Sequence, residues 1–165
     1  MARKRPSPSS GTGMRRAPAA ALGAALAAAF AAKSPALVAA FRTGDTLPAA
    51  HAEAALTAAA LMGMNNVWYP FVEMADDPEL KSMRAELRMN AYATHGGVDR
   101  ASFELYALAA SIVGKCGFCV ASHYRQLRDG GTTAQQLRDV GRIAAVVAAA
   151  AQVLVAEGAE EPVPA

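Results

Sequence analysis

The chain has two cysteines, Cys116 and Cys119; His123 follows the second by four residues and Glu104 precedes the first by twelve. Two thiols at this spacing can close a small disulfide ring. A nearby base can ionise one of them, and the thiolate is the nucleophilic form. Positions 116, 119 and 123 are three and four residues apart, so on a helix all three side chains share one face. If that helix starts near Cys116, both cysteines lie in its first turn. Unpaired N–H groups and the positive end of the macrodipole favour a thiolate there. A thiol pKa of about 8.5 can fall to roughly 3.5–7.5 in such settings. The spacing lets His123 reach the Cys119 sulfur and take its proton. It also lets Glu104, on a preceding helix, fold back after Gly114-Lys115 to the cysteines, directly or through a water. A carboxylate, an imidazole and two thiols make a proton relay for thiol-redox chemistry.

Blander readings compete. A single Cys-x-x-Cys also marks zinc sites, but zinc wants four ligands. Beyond His123 only His51 and His95 remain, with no second cysteine pair. Taken alone, Glu104 reads as a surface or capped residue and His123 as incidental. The combined spacing is what favours catalysis.

The elements that must position these residues read as helices. The chain has 165 residues, 53% of them hydrophobic and only 6% aromatic, and about a quarter are alanine. That length suits one domain with a real core. Alanine is the best helix former, whereas strands prefer β-branched and aromatic residues; the expectation is an all-α domain. Residues 1 to about 18 are rich in Arg, Pro, Ser and Gly and read as a disordered basic tail. A secretory signal or an Arg-rich transit peptide is the alternative for this region. The alanine-rich run Ala19–Ala32 is too short and too weakly hydrophobic to span a membrane. Further helices are expected after Ser34-Pro35, over Pro48 to about Gly63, Met64 to about Met74, Pro78–Asn90, Asp99 to about Val113, and Cys116 to Arg128. Thr132 or Thr133 with Gln135 or Gln136 forms a capping box for a last helix to about Ala156. The domain is thus placed at 19–156, and 157–165 as a frayed acidic tail.

The formal net charge is +2. Without Arg3, Lys4, Arg5, Arg15 and Arg16, the remainder carries about −3, which gives no nucleic-acid footprint. One cysteine pair is unlike a secreted disulfide scaffold and fits a reducing cytoplasm.

Glu104, eleven intervening residues and Cys-x-x-Cys-x-x-x-His resemble the alkyl hydroperoxide reductase AhpD family, within the carboxymuconolactone decarboxylase-like superfamily. Leu61-Met62-Gly63-Met64-Asn65-Asn66-Val67-Trp68-Tyr69, Leu87-Arg88-Met89-Asn90 and Phe103-Glu104-Leu105 are similar to further family stretches. The resemblance covers about Ala24 to Ala156. It implies an all-α fold, often a homotrimer, with no bound cofactor or metal. It implies Cys119 as the attacking thiol that becomes sulfenic acid, Cys116 as proton donor and resolving thiol, a Cys116–Cys119 disulfide, and His123 with Glu104 as the relay. It further implies a hydroperoxide substrate, the peroxiredoxin AhpC as partner, and electrons from a dihydrolipoamide group on a lipoylated dihydrolipoamide acyltransferase. Two departures stand out: Phe118 lies between the cysteines where some members have histidine, and the N-terminal segment is shorter. Met62, Met64, Trp68 and Tyr69 read as core or subunit interface. Two other readings are a decarboxylase-type lyase, which would not need two cysteines, and a non-catalytic redox-sensing or metal-binding helical module.

Overall fold

Small side chains let helices approach closely, and the core of this protein is built on that. The computed structural model describes residues 13–43 and 46–158, with side chains from residue 18. Eight α-helices and one 3-10 turn are present among the described residues, with no strand. Three of them, α1 (Gly13–Ala31), α3 (Ala49–Ala75) and α6 (Arg100–Val113), pack against one another. They bury Ala24 to Ala29, Ala54, Ala55 and Ala58, and Phe103 with Tyr106 to Ala110. Gly23 is required on α1: a Cβ there would stand 2.4 Å from the Tyr106 ring. The buried Tyr106 hydroxyl is satisfied by His51 Nδ1 at 2.6 Å.

Several capping expectations hold. Ser34 caps α2 (Pro35–Arg42), its hydroxyl accepting from the Leu37 N–H at 3.4 Å. Asp99 caps α6, accepting from the Ser102 N–H at 3.0 Å. Thr133 and Gln136 form the reciprocal capping box of α8 (Ala134–Gly158).

Three expectations need correction. The domain starts earlier than residue 19, because α1 is already helical at Gly13. Met14, Arg15 and Ala17 are good helix formers, and α1 runs through Pro18 despite the backbone donor that a proline removes. The rest of the expected basic tail, residues 1–12, and residues 159–165 of the acidic tail lie outside the described residues. The two helices expected over 48–63 and 64–74 are the single α3, since one exposed glycine at 63 costs a helix only about 1 kcal/mol. The helix expected over 78–90 stops at Ser82 as α4 (Pro78–Ser82), and residues 83–89 are irregular, with Glu86 at φ 52°. An irregular run covers more distance per residue than a helix. It carries the chain to α5 (Asn90–Ala93), whose Tyr92 reaches Glu104.

The last helix, α8, is long and apolar enough to cross a membrane by length and composition, with a mean hydropathy of 1.7. In this fold it packs on α1 and α6. Leu137, Val140, Ala144, Val147 and Ala151, alternating three and four residues apart, form its buried seam.

Candidate functional site

The turn between α6 and α7 (Gly117–Asp129) places the cysteines. At its end α6 closes in a Schellman motif: Lys115 N–H bonds Ile112 O at 3.1 Å, and Cys116 N–H bonds Ser111 O at 3.3 Å. Lys115 takes the left-handed conformation at φ 56° that such a cap needs. Cys116 finishes this cap and is also the N-cap of α7, its sulfur accepting the Cys119 N–H at 3.2 Å. Both cysteines therefore sit where free N–H groups and the helix dipole stabilise negative sulfur. They are joined as a disulfide, with Cα atoms 5.3 Å apart.

The Met-Gly-Met-Asn-Asn segment of α3 backs this turn. Asn66 donates to Ala110 O at 3.2 Å, holding the end of α6. Gly114 has to be glycine, because a Cβ would stand 2.0 Å from the Asn66 amide nitrogen. Asn65 O lies 3.9 Å from the Cys116 sulfur, where it can accept from the reduced thiol.

Glu104 of α6 and His123 of α7 are both buried and meet directly, His123 Nδ1 lying 2.7 Å from Glu104 Oε2. Tyr92 of α5 donates its hydroxyl hydrogen to Glu104 Oε1. Arg100 Nε lies 4.0 Å from the same oxygen. Burial in itself raises the Glu104 carboxyl. The hydrogen bonds of His123 and Tyr92, with the His123 and Arg100 charges, outweigh it and hold the group below its ordinary value. Burial, and then the bond to Glu104, push the Tyr92 phenol well above its ordinary value. With Glu104 ionised, Nδ1 of His123 must donate, which leaves Nε2 to take up or release a proton.

All four expected residues thus gather in one region, but the contacts differ from expectation in two respects. Nε2 of His123 lies 3.1 Å from the sulfur of Met62. Among the described residues no hydrogen bond joins the imidazole to either cysteine. His123 and Cys119 instead share the wall of a cavity of about 270 Å3, with Asn65, Met89 and Ser122 also lining it. Glu104 bonds His123 and Tyr92, and among the described residues no hydrogen bond joins it to a cysteine.

Two site residues escaped the sequence reading. Tyr92 belongs to no local motif, and only the irregular segment before it brings it over Glu104. Met62 was read as core, and it is fully buried, but its sulfur also faces the imidazole. The other histidines have separate surroundings: His51 bonds Tyr106, and His95 packs against Tyr92 and Phe103. Among the described residues no three His, Cys, Asp or Glu side chains lie close enough to hold a metal.

The carboxymuconolactone decarboxylase family matches residues 78–160. An alkyl hydroperoxide reductase AhpD of Rhodospirillum centenum is 42% identical over 139 residues, covering 83% of this chain and 74% of that protein. The protein of the same name from Bradyrhizobium sp. BTAi1 is 42% identical over 147 residues, covering 88% and 81%. That from Maricaulis maris is 49% identical over 104 residues, covering 63% and 60%. The chain therefore belongs to the alkyl hydroperoxide reductase AhpD family, within the carboxymuconolactone decarboxylase-like superfamily.

Proposed function

We propose that this protein is an antioxidant oxidoreductase that reduces organic hydroperoxides with the Cys116–Cys119 couple. The observation that carries the reading is a disulfide-forming pair at a helix N-terminus, with Cys119 facing a cavity also lined by the histidine of a buried Glu–His pair. The names of the relatives support the same activity.

In the reduced protein, His123 takes the Cys119 proton at Nε2, and Glu104 holds the resulting imidazolium at Nδ1. The thiolate attacks the distal peroxide oxygen. The O–O bond breaks, the alkoxide leaves with the imidazolium proton as an alcohol, and Cys119 becomes a sulfenic acid. Cys116 then attacks the Cys119 sulfur. Its own proton leaves with the hydroxide as water, and the disulfide closes. One hydroperoxide and two thiols thus give one alcohol, one water and one disulfide. A dithiol restores the pair by exchange, and dihydrolipoamide on a lipoylated acyltransferase is the source the family resemblance suggests. The same couple would pass electrons to the peroxiredoxin AhpC. No step calls for a bound metal or cofactor. Exposed Val146 and Val153 on α8, with Val67 and Phe71 on α3, support assembly, for which we propose a homotrimer in the cytoplasm. Light scattering reads the assembly directly.

The test is steady-state peroxide loss with dihydrolipoamide as reductant. The wild type should turn over, and Cys119→Ser should fall to background, because a hydroxyl supplies no nucleophile comparable to a thiolate. Thiols that bind stoichiometric zinc and reduce no peroxide would instead favour the metal-binding module.

A further inference from the structure

A second cavity, of about 730 Å3, opens beside the redox pair, between the later part of α3, α4 with the segment that follows it, and the first turn of α7. Its apolar wall is Trp68, Tyr69, Val72, Leu80, Met83 and Phe118. The volumes divide the labour. Sites that enclose a small molecule occupy roughly 300–1,000 Å3. The 270 Å3 at Cys119 falls short of that range and the larger cavity lies within it.

Tyr69 and Phe118 line both spaces, their rings stacked with centroids 4.1 Å apart. A molecule whose reacting end meets Cys119 therefore has an apolar space for its remainder just across that stack. The charged side chains at the margin are Glu73, Lys81 and Arg84. Lys81 is paired with Asp76, and Glu73 and Arg84 are of opposite sign, so the margin favours a neutral occupant over an ion. Phe118 is 56% exposed and lies outside the buried core. It stands between Cys116 and Cys119, so this chain places a hydrophobic ring between the two thiols.

We propose that the larger cavity holds the apolar chain of a long-chain organic hydroperoxide, with Phe118 as a specificity-determining residue that carries the chain from this cavity to Cys119. The inference rests on the peroxide-reducing reading and names its substrate class. The chemistry is unchanged: the hydroperoxide leaves as an alcohol and water while the two thiols become the disulfide, and a dithiol returns the electrons.

Trp68 is the chain's single tryptophan, so its emission reports occupancy of the cavity without any turnover. Full-length oxidised protein titrated with a long-chain fatty alcohol, which has the form of the product, should show a saturable emission change. Val72→Asp, which sets a charge in the apolar wall, should weaken that binding about ten-fold or more. In steady state with dihydrolipoamide, Phe118→Ala should lower kcat/KM for a long-chain alkyl hydroperoxide about ten-fold more than it lowers the value for hydrogen peroxide. Absence of a saturable emission change overturns the inference whatever the peroxidase assay shows. Equal kinetic effects on both peroxides overturn it too and leave the peroxide reading intact. Saturable binding without turnover of any peroxide refutes the peroxide reading, and with it the hydroperoxide as occupant. A smaller assembly mass for Val72→Asp by light scattering would identify the cavity as a contact between copies, again overturning the proposal.

Discussion

Glu104 is a buried carboxylate whose charge is held by neighbours on three elements: His123, Tyr92 and Arg100. Such a group works through its partners, so its loss and theirs should not add. Glu104→Gln and His123→Gln should each slow peroxide reduction by roughly 10²–10⁴-fold, the scale of general base catalysis. The double variant should be little worse than either, since members of one unit are non-additive. Multiplicative losses in a kinetic double-mutant cycle would show that the two act separately. The same carboxylate ties stability to pH. Its folded value lies below the ordinary 4.5, so the stability it lends is complete above about pH 4.5 and is lost as pH falls through the folded value. Tyr92 runs the other way. Its raised value means a contribution complete below about pH 10 that is lost as pH rises further. In Tyr92→Phe the Glu104 carboxyl moves back toward its ordinary value. Urea unfolding across pH should therefore show a shallower acid limb and a weaker alkaline one than the wild type; unchanged limbs would remove Tyr92 from the carboxylate's support.

At the scale of elements, the α6–α7 turn is the device that sets the cysteines. Its break at Gly114-Lys115 was legible from residue types, and so were the caps at Ser34, Asp99 and Thr133, because each is a local hydrogen bond written in a few adjacent residues. The need for glycine at 114 was not legible, since it comes from Asn66 on another helix. Gly114→Ala should destabilise the protein by about 1–3 kcal/mol, the usual cost of overpacking. Adding Asn66→Ala should cost less than the two changes summed, because the atoms at 2.0 and 2.3 Å are removed and only the Cβ at 2.8 Å remains. Thermal unfolding of the four proteins reads this directly, and simple additivity would mean that the close approach relaxes at no cost. The irregular run 83–89 was missed for a related reason. Ala85, Leu87, Arg88 and Met89 are good helix formers, yet Leu87 and Met89 are drawn inward and the chain continues to Tyr92 over Glu104. Tertiary packing outweighs a propensity worth tenths of a kcal/mol per residue.

For the whole molecule, alanine abundance announced the all-α architecture, and the spacing of four residues announced the site. The way two sites of different size adjoin at Tyr69 and Phe118 depends on three separate elements, and no periodicity carries that information. Correcting the start of α1 also changes where the chain can be shortened. Deleting residues 1–12 should leave the thermal midpoint and peroxidase activity nearly unchanged, because this segment offers few apolar groups and only screened attraction to an acidic body. Extending the deletion to residue 18 removes the first turns of α1 and should lower the midpoint. Equal midpoints for the two truncations would show that those turns contribute nothing to the packing.

The central claim is that Cys116 and Cys119 form the redox centre, with Cys119 taking the oxygen. Reduced protein mixed anaerobically with one equivalent of an organic hydroperoxide, quenched by alkylation and mapped by peptide mass, tests it most directly. The account predicts one alcohol formed and one Cys116–Cys119 disulfide per chain in the wild type, and a sulfenic acid or mixed disulfide trapped at Cys119 in Cys116→Ser. Sulfenic acid found at Cys116 in the converse variant, or peroxide consumed with both thiols still free to alkylate, would contradict it.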